Sequence, residues 1–311
     1  MYDSEFKRLL KGIIQLADIK NWVVPTIPAA VGGILSYSMN KTFSPYWFVM
    51  TLVAVYFIEI GRNAVSEVVD YKTGVSKLIK PDKRTPFSGG KKVIIEGRLS
   101  VIEVILIAFV AIGSGCSIGI YVALTQALSA LWVGAAGVLL AVFYSLPPIK
   151  LSYRGMGEIA AGIAYGPLLL LITYMIQTGG INAKILLVSI PIALLVISIV
   201  WINQYPDYEA DMEAKKKTLL VRLGKEKGLV VYQLLFAAAF ISIIIVSFVF
   251  QNPFWLLGLI SAPTAAKAIN AAKRYQDDVQ LMVRANIMTV LVYQLTGLAL
   301  VIGAYGKMFI R

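Results

Sequence analysis

The chain has 311 residues, of which 58% are hydrophobic and 15% charged, with a mean hydropathy of +0.76. A soluble domain is about 45–50% apolar and about 25% charged, so there is too little polar surface here to cover a water-soluble globule, and a disordered, collagen-like or disulfide-stapled chain is excluded too. With no histidine and a single cysteine, Cys116 in an apolar stretch, imidazole catalysis, a cysteine–histidine metal site and an internal disulfide are also excluded.

What remains is an all-α, polytopic membrane protein. In chain order, residues 1–20 are polar and mixed in charge, without the apolar core and cleavage site of a signal peptide. Nine stretches then supply the ~20 mostly apolar residues that a membrane helix needs. They lie at about 22–39, 45–65, 100–124, 127–146, 157–177, 184–205, 229–250, 253–271 and 286–306. Connections 40–44, 125–126, 178–183 and 251–252 are short and nearly uncharged, whereas 66–99 and 206–228 are long and rich in Lys and Arg. Pro25, Pro28, Pro148, Pro167 and Pro191 predict kinked helices, as expected around a central cavity.

The net charge is +12. Of the 29 basic residues, 25 fall on the side of the N-terminus and the two long connections, leaving Lys41, Lys184, Lys307 and Arg311 opposite. The cytoplasmic bias of basic residues therefore predicts a cytoplasmic N-terminus, an external C-terminus and an odd number of spans, which nine satisfies. It also accounts for the charge without a nucleic-acid partner.

The acids carry the chemistry. Asn63, Glu67 and Asp70 are spaced i, i+4, i+7, which places them on one helical face; Asn203, Asp207 and Asp211 follow at i, i+4, i+8, again one face. Carboxylates gathered near a bilayer repel one another and are costly to desolvate, unless a divalent cation lies between them. One such triplet alone reads better as solvated charge at a helix end. Two, each headed by Asn and trailed by basic residues, favour a hard ion such as Mg²⁺. Lys80, Lys83 and Arg84 follow the first cluster, and Lys215, Lys216, Lys217 and Arg222 the second. Metal plus Lys or Arg suits a bound diphosphate leaving group.

The run Asp207-Tyr208-Glu209-Ala210-Asp211, followed by Lys217-Thr218-Leu219-Leu220-Val221-Arg222-Leu223-Gly224, resembles the second signature of the UbiA superfamily of intramembrane prenyltransferases, nearest the 1,4-dihydroxy-2-naphthoate branch. Lys83-Arg84-Thr85-Pro86-Phe87-Ser88-Gly89-Gly90, Tyr144-Ser145-Leu146-Pro147-Pro148 and Arg154-Gly155-Met156-Gly157-Glu158 are similar as well, and the likeness runs from about Pro25 to the last span. The first signature departs from the pattern: Ser66 stands at the usual Asn, Glu67 at the second acid and Ser76 at a late Asp, with Asn63 and Asp82 as the replacements at hand.

The resemblance implies one nine-helix domain over residues 1–311, with its motif loops at about 62–99 and 203–228. It implies Mg²⁺-dependent transfer of a polyprenyl group from its diphosphate, through an allylic cation, to an aromatic acceptor such as 1,4-dihydroxy-2-naphthoate. Glu67, Asp70, Asp207 and Asp211 would contact the metal, directly or through water. Asn63, Asn203, Lys83, Arg84, Lys217 and Arg222 would face the diphosphate. Tyr144, Tyr165 and Tyr205 would face the cation, although interfacial anchoring is the better reading of tyrosines in general. Lys150 or Arg154 would hold an acceptor carboxylate, with Glu158 as an acceptor-side base or a partner of Arg154. The expected setting is the plasma membrane, with the site on the cytoplasmic side and membrane lipid around it. Other acceptors in the superfamily (4-hydroxybenzoate, homogentisate, a glycerol-phosphate lipid, a porphyrin) are alternatives. An ion-coupled transporter is a further one, for which Glu59 is the nearest intramembrane acid.

Overall fold

A computed structural model describes residues 2–79, 83–306 and 308. Lys80 and Asp82 of the first cluster, and Lys307 and Arg311 of the topology count, lie outside the described residues. No strand occurs among the described residues. The α-helices are α1 (Tyr2–Ala17), α2 (Val23–Asn40), α3 (Pro45–Thr73), α4 (Val75–Leu78), α5 (Val101–Gln126), α6 (Ala130–Phe143), α7 (Gly157–Ile163) and α8 (Leu169–Thr178). After them come α9 (Ile185–Asn203), α10 (Tyr208–Glu213), α11 (Leu219–Leu223), α12 (Lys225–Phe250), α13 (Ala262–Tyr275) and α14 (Val279–Gly306).

The helix ends follow local chemistry. Pro45 opens α3, where the missing N–H is no loss. Ser100 and Glu103 form a reciprocal capping box at the start of α5, and Thr218 caps α11 through the Val221 N–H.

All nine apolar stretches are helical, and six or seven of the nine expected spans are matched by a helix of membrane-crossing length among the described residues. Among the described residues, six helices are long and apolar enough to cross a bilayer: Pro45–Thr73, Val101–Gln126, Gly157–Thr178, Ile185–Asn203, Lys225–Phe250 and Val279–Gly306. A seventh is added if Glu5–Asn21 and Val23–Asn40, bent by 49°, count as one span. The shortfall has local causes. The 14 residues of α6 extend about 21 Å at 1.5 Å per residue, short of a hydrocarbon core of about 30 Å. The eighth stretch begins as a 3₁₀ segment, Pro253–Ser261, and continues into α13, which carries Lys267, Lys273 and Arg274. In the span Gly157–Thr178, Pro167 lies in a π-helical turn, Ala164–Leu168, where the ladder is interrupted.

The core lies where α9, α12 and α14 pack with α2 and the 3₁₀ segment, around Trp201, Tyr232, Phe236, Trp255 and Tyr293. Hydrocarbon offers no partner to a polar group, and these side chains bond internally. Trp201 Nε1 donates to the Gly228 carbonyl at 3.0 Å, and Tyr293 Oη to the Val24 carbonyl at 2.6 Å. Phe109, Trp132 and Phe248 instead point outward, each about four-fifths exposed, as lipid-facing residues do. The chain is an integral membrane protein. α3 packs along α5, and between them, α6, the π-helical turn and α9 lies one large cavity. Both long polar connections close the same end of it.

Candidate active site

The cavity has a volume of about 1100 Å³. On one wall, the last turns of α3 bring Asn63, Glu67 and Asp70 to the lining, as their spacing predicts. Opposite stand Asn203, Asp207 and Asp211. These do not share one helix face: α9 ends at Asn203, and α10 begins only at Tyr208, after Pro206. The break reorients the backbone, yet all three still reach the lining.

The loop Ser88–Ile94 joins the two clusters. The Gly89 N–H donates to both Asp207 oxygens, at 2.9 and 3.1 Å. The Lys91 and Lys92 N–H groups donate to Glu67 Oε2, both at 3.0 Å, and the Ile94 N–H donates to Oε1 at 3.2 Å. Glu67 is thus a buried anchor for this loop. Gly89 and Gly90 have φ of +71° and +66°, a region that costs a residue with a Cβ. A Cβ on Gly90 would lie 3.3 Å from Glu67 Oε2 and 3.8 Å from Asp70 Oδ2, so glycine keeps the space between these carboxylates clear.

Burial pushes Asp207 up to about 7, with the neighbouring Asp211 adding to the effect. Burial raises Asp211 too, against the pull of Lys216. Lys216 Nζ lies 3.4 Å from Asp211 Oδ1 and 5.2 Å from the Tyr153 ring centre. Burial works to deprotonate Lys216, but Asp211 and then Asp70 outweigh it and hold the ammonium charged. Asp70 accepts a 2.6 Å hydrogen bond from Tyr153 Oη. Lys91 lines the cavity and pairs with Asp18, while burial lowers its pKa.

Of the other residues singled out in the sequence, some line the cavity while bonding within the protein, and some stand outside it. The Asn63 amide donates to the Leu16 carbonyl at 3.1 Å, and Asn203 Oδ1 accepts from Asn286 at 2.7 Å. Ser66, at the departed position, shares a 2.8 Å hydrogen bond with Ser145. Tyr144 and Tyr165 line the cavity; Tyr205 is buried outside it and donates to the Lys225 carbonyl at 2.8 Å. Lys83, Arg84, Lys150, Arg154, Glu158, Lys217 and Arg222 lie outside the cavity wall. Lys83 pairs with Glu209 at 2.7 Å, and Lys150 sits 4.9 Å from the Tyr153 ring centre. Arg84 Nε points to the Ile79 carbonyl at 3.4 Å. Arg222 bridges the carbonyls of Lys217 and Arg154, and Arg154 donates to the Pro148 carbonyl. Glu158 accepts from Gln204 Nε2 at 2.8 Å and from the Leu219 N–H at 3.1 Å. These groups fasten the polar connections to one another.

Sequence reasoning gave no site role to Lys91, Tyr153 or Arg62, left Lys216 undistinguished within its basic run, and named Glu59 only for the transporter alternative. A signal existed for Glu59: it is eleven residues before Asp70, three helical turns, and so returns to the same face.

Among the described residues, no three carboxylates are close enough to form a ready-made metal cage. The residues nonetheless fit a hard cation. Asp211 Oδ1 and Gln204 Oε1 are buried without a hydrogen-bond partner, the former with only the Lys216 ammonium 3.4 Å away, Asp207 and Asp211 both reach the same lining, and the donors are all oxygen.

The UbiA prenyltransferase family matches residues 26–301. The chain belongs to that family. It is a prenyltransferase of the UbiA type. It is 26% identical over 244 residues to the 1,4-dihydroxy-2-naphthoate octaprenyltransferase of Bacillus subtilis (strain 168), covering 78% of this chain and 76% of the relative. It is 24% identical over 286 residues to the 2-carboxy-1,4-naphthoquinone phytyltransferase of Synechocystis sp., covering 92% of this chain and 90% of that one. Among solved structures, it resembles a UbiA homologue from Archaeoglobus fulgidus bound to GPP and Mg²⁺, with a TM-score of 0.65 and 17% identity, over 93% of this chain and 99% of that one. The last likeness shows the fold.

Proposed function

We propose that this prenyltransferase moves a polyprenyl group from its diphosphate to 1,4-dihydroxy-2-naphthoate, with Mg²⁺ as cofactor and loss of the acceptor carboxyl as CO₂. One observation carries the reading: a single cavity has two facing carboxylate clusters at its polar end and an apolar wall beyond them. The relatives with naphthoate-type acceptors support the choice of acceptor.

Asp70, Asp207 and Asp211 would hold the metal, and Glu67 would keep the Gly89–Gly90 loop against them. Mg²⁺, when bound, neutralises the charge that develops on a departing diphosphate. Lys216 and Lys91, two lining cations at the polar end, face the diphosphate oxygens. Lys83, Arg84, Lys217 and Arg222 form a basic surface beside the cavity that attracts a polyanionic donor. Asn63 and Asn203 orient phosphate or bound water from opposite walls. The face of Tyr144 stabilises the allylic cation without capturing it. The apolar wall, which includes Ile58, Ile120 and Val138, excludes water that would quench the cation. Lys150 and Arg154 stand outside the cavity at its polar end, Lys150 over the Tyr153 ring that bonds Asp70 and Arg154 on the Pro148 carbonyl. The reading places one domain over residues 1–311 in the plasma membrane, with the site on the cytoplasmic side.

The test is mass spectrometry of products from the purified protein in detergent with geranylgeranyl diphosphate and 1,4-dihydroxy-2-naphthoate. A prenylated, decarboxylated product that forms with Mg²⁺ and vanishes with EDTA is expected. A folded sample that consumes no donor of any chain length contradicts the proposal.

A further inference from the structure

Deeper in the same cavity lies an ionisable cluster for which diphosphate chemistry has no use. Glu59 and Arg62 are on α3, and Tyr165 is on the π-helical turn Ala164–Leu168; all three line the cavity. Glu59 Oε1 accepts a 2.5 Å hydrogen bond from Tyr165 Oη, and Glu59 Oε2 accepts one of 2.9 Å from Arg62. Arg62 also donates to Asn63 Oδ1 at 3.0 Å and lies 5.7 Å from the Tyr144 ring centre. Its Nε is buried without a partner. An acid and a guanidinium at this depth in a membrane protein are costly to keep. If packing alone were served, apolar residues of similar volume would do as well. The π turn is the local device that turns Tyr165 toward Glu59, since such turns redirect single side chains at working sites.

Glu59 is about 16 Å along α3 from Asp70, at 1.5 Å per residue, and on the same face. That distance accommodates a metal-held diphosphate, the reacting carbon and one aromatic ring in line. We infer that Glu59 is the acceptor-side base, taking the proton of a ring hydroxyl next to the carbon that is prenylated. Arg62 and Tyr165 are positioning residues that hold its carboxylate in place and aimed. The assignment rests on the prenyl-transfer reading above.

The step balances. The ring carbon bonds to the allylic carbon as the bond from that carbon to diphosphate breaks. The hydroxyl proton passes to Glu59, and the O–H electron pair becomes a ring carbonyl. When the carboxylate on the same carbon leaves as CO₂, its bonding pair restores the aromatic ring. The carbonyl oxygen then recovers the proton from Glu59.

The test compares wild type with Glu59→Gln, on the hydroxyarene acceptor and on its O-methyl ether, which has no proton to give. Glu59→Gln is expected to lower transfer to the hydroxyarene on the order of 100-fold, the usual share of a general base, while leaving the donor KM unchanged. It should cause no further loss with the ether, and formate should restore part of the rate. Tyr165→Phe, which removes one hydroxyl, should show the same pattern with a smaller loss and serves if Glu59→Gln fails to fold. Losses from the substitution and the ether that multiply, with no formate rescue, overturn this assignment alone. Wild type that transfers to no hydroxyarene overturns the transfer reading, and this one with it.

Discussion

Replacing Lys216 with Met tests the electrostatics of the site most sharply. The ammonium is the only cation within salt-bridge distance of Asp211 among the described residues, at 3.4 Å, and its side chain is 16% exposed. Removing one member of such a buried pair costs about 3–5 kcal/mol, because the remaining charge keeps its desolvation penalty. Met preserves the stem, so the loss reports charge rather than volume. In EDTA, Lys216→Met should therefore lower Tm by several degrees. Mg²⁺ supplies the missing positive charge and should recover most of that loss, while donor turnover stays depressed. Thermal melts of wild type and variant, with Mg²⁺ and with EDTA, give the comparison. A variant equally destabilised with and without Mg²⁺ would refute the view that Lys216 and the metal compensate the same carboxylates.

Gly90→Ala and Gly97→Ala share a positive φ, +66° and +67°, and each should lose about 1–2 kcal/mol of stability. Only Gly90→Ala places a Cβ against Glu67, whereas a Cβ at Gly97 would meet nothing within 4 Å; Mg²⁺-dependent turnover should fall in the first and persist in the second, as initial rates will show. Asp207 titrates at about 7, held up by burial and then Asp211. Protonated below that value, it cannot bind metal, so apparent Mg²⁺ affinity should drop about tenfold from pH 8 to pH 6, measured by titration calorimetry. The sign for stability is opposite: ionised Asp207 destabilises the metal-free protein as pH rises above the usual carboxylate range, fully so above about 7, and Mg²⁺ should raise Tm more at pH 8 than at pH 6. Glu158→Ala leaves the Leu219 N–H and Gln204 without their acceptor; about 1–3 kcal/mol of stability should go, with the acceptor KM unchanged in steady-state assays.

Much of the architecture was legible because apolar runs and helix phase are local properties. All nine stretches are helical, and the α3 triplet faces the cavity as its spacing required. Phase arguments stopped where the helix stopped. Pro206 splits the second triplet between α9 and the start of α10, so its common orientation comes from tertiary packing, not from a period of 3.6. The same limit explains Lys216: residues 215–218 are not helical, Lys215 has φ of +58°, and which lysine of the run turns inward is a matter of loop path. Glu67 was legible as an acid but not as the acceptor of three backbone N–H groups from residues 91–94, since that pairing joins segments 24–27 positions apart. Arg154 and Arg222 look like anion binders in sequence, yet the Arg154 guanidinium reaches the Pro148 carbonyl in its own loop and that of Arg222 reaches across to the Arg154 carbonyl.

The central claim is that a prenyl group replaces the acceptor carboxyl in this cavity. Its most direct measurement is the ratio of CO₂ to pyrophosphate released from carboxyl-labelled 1,4-dihydroxy-2-naphthoate and geranylgeranyl diphosphate. Equimolar release with Mg²⁺, and neither product with EDTA, is the predicted result. Pyrophosphate release without CO₂ and without a prenylated ring would contradict it.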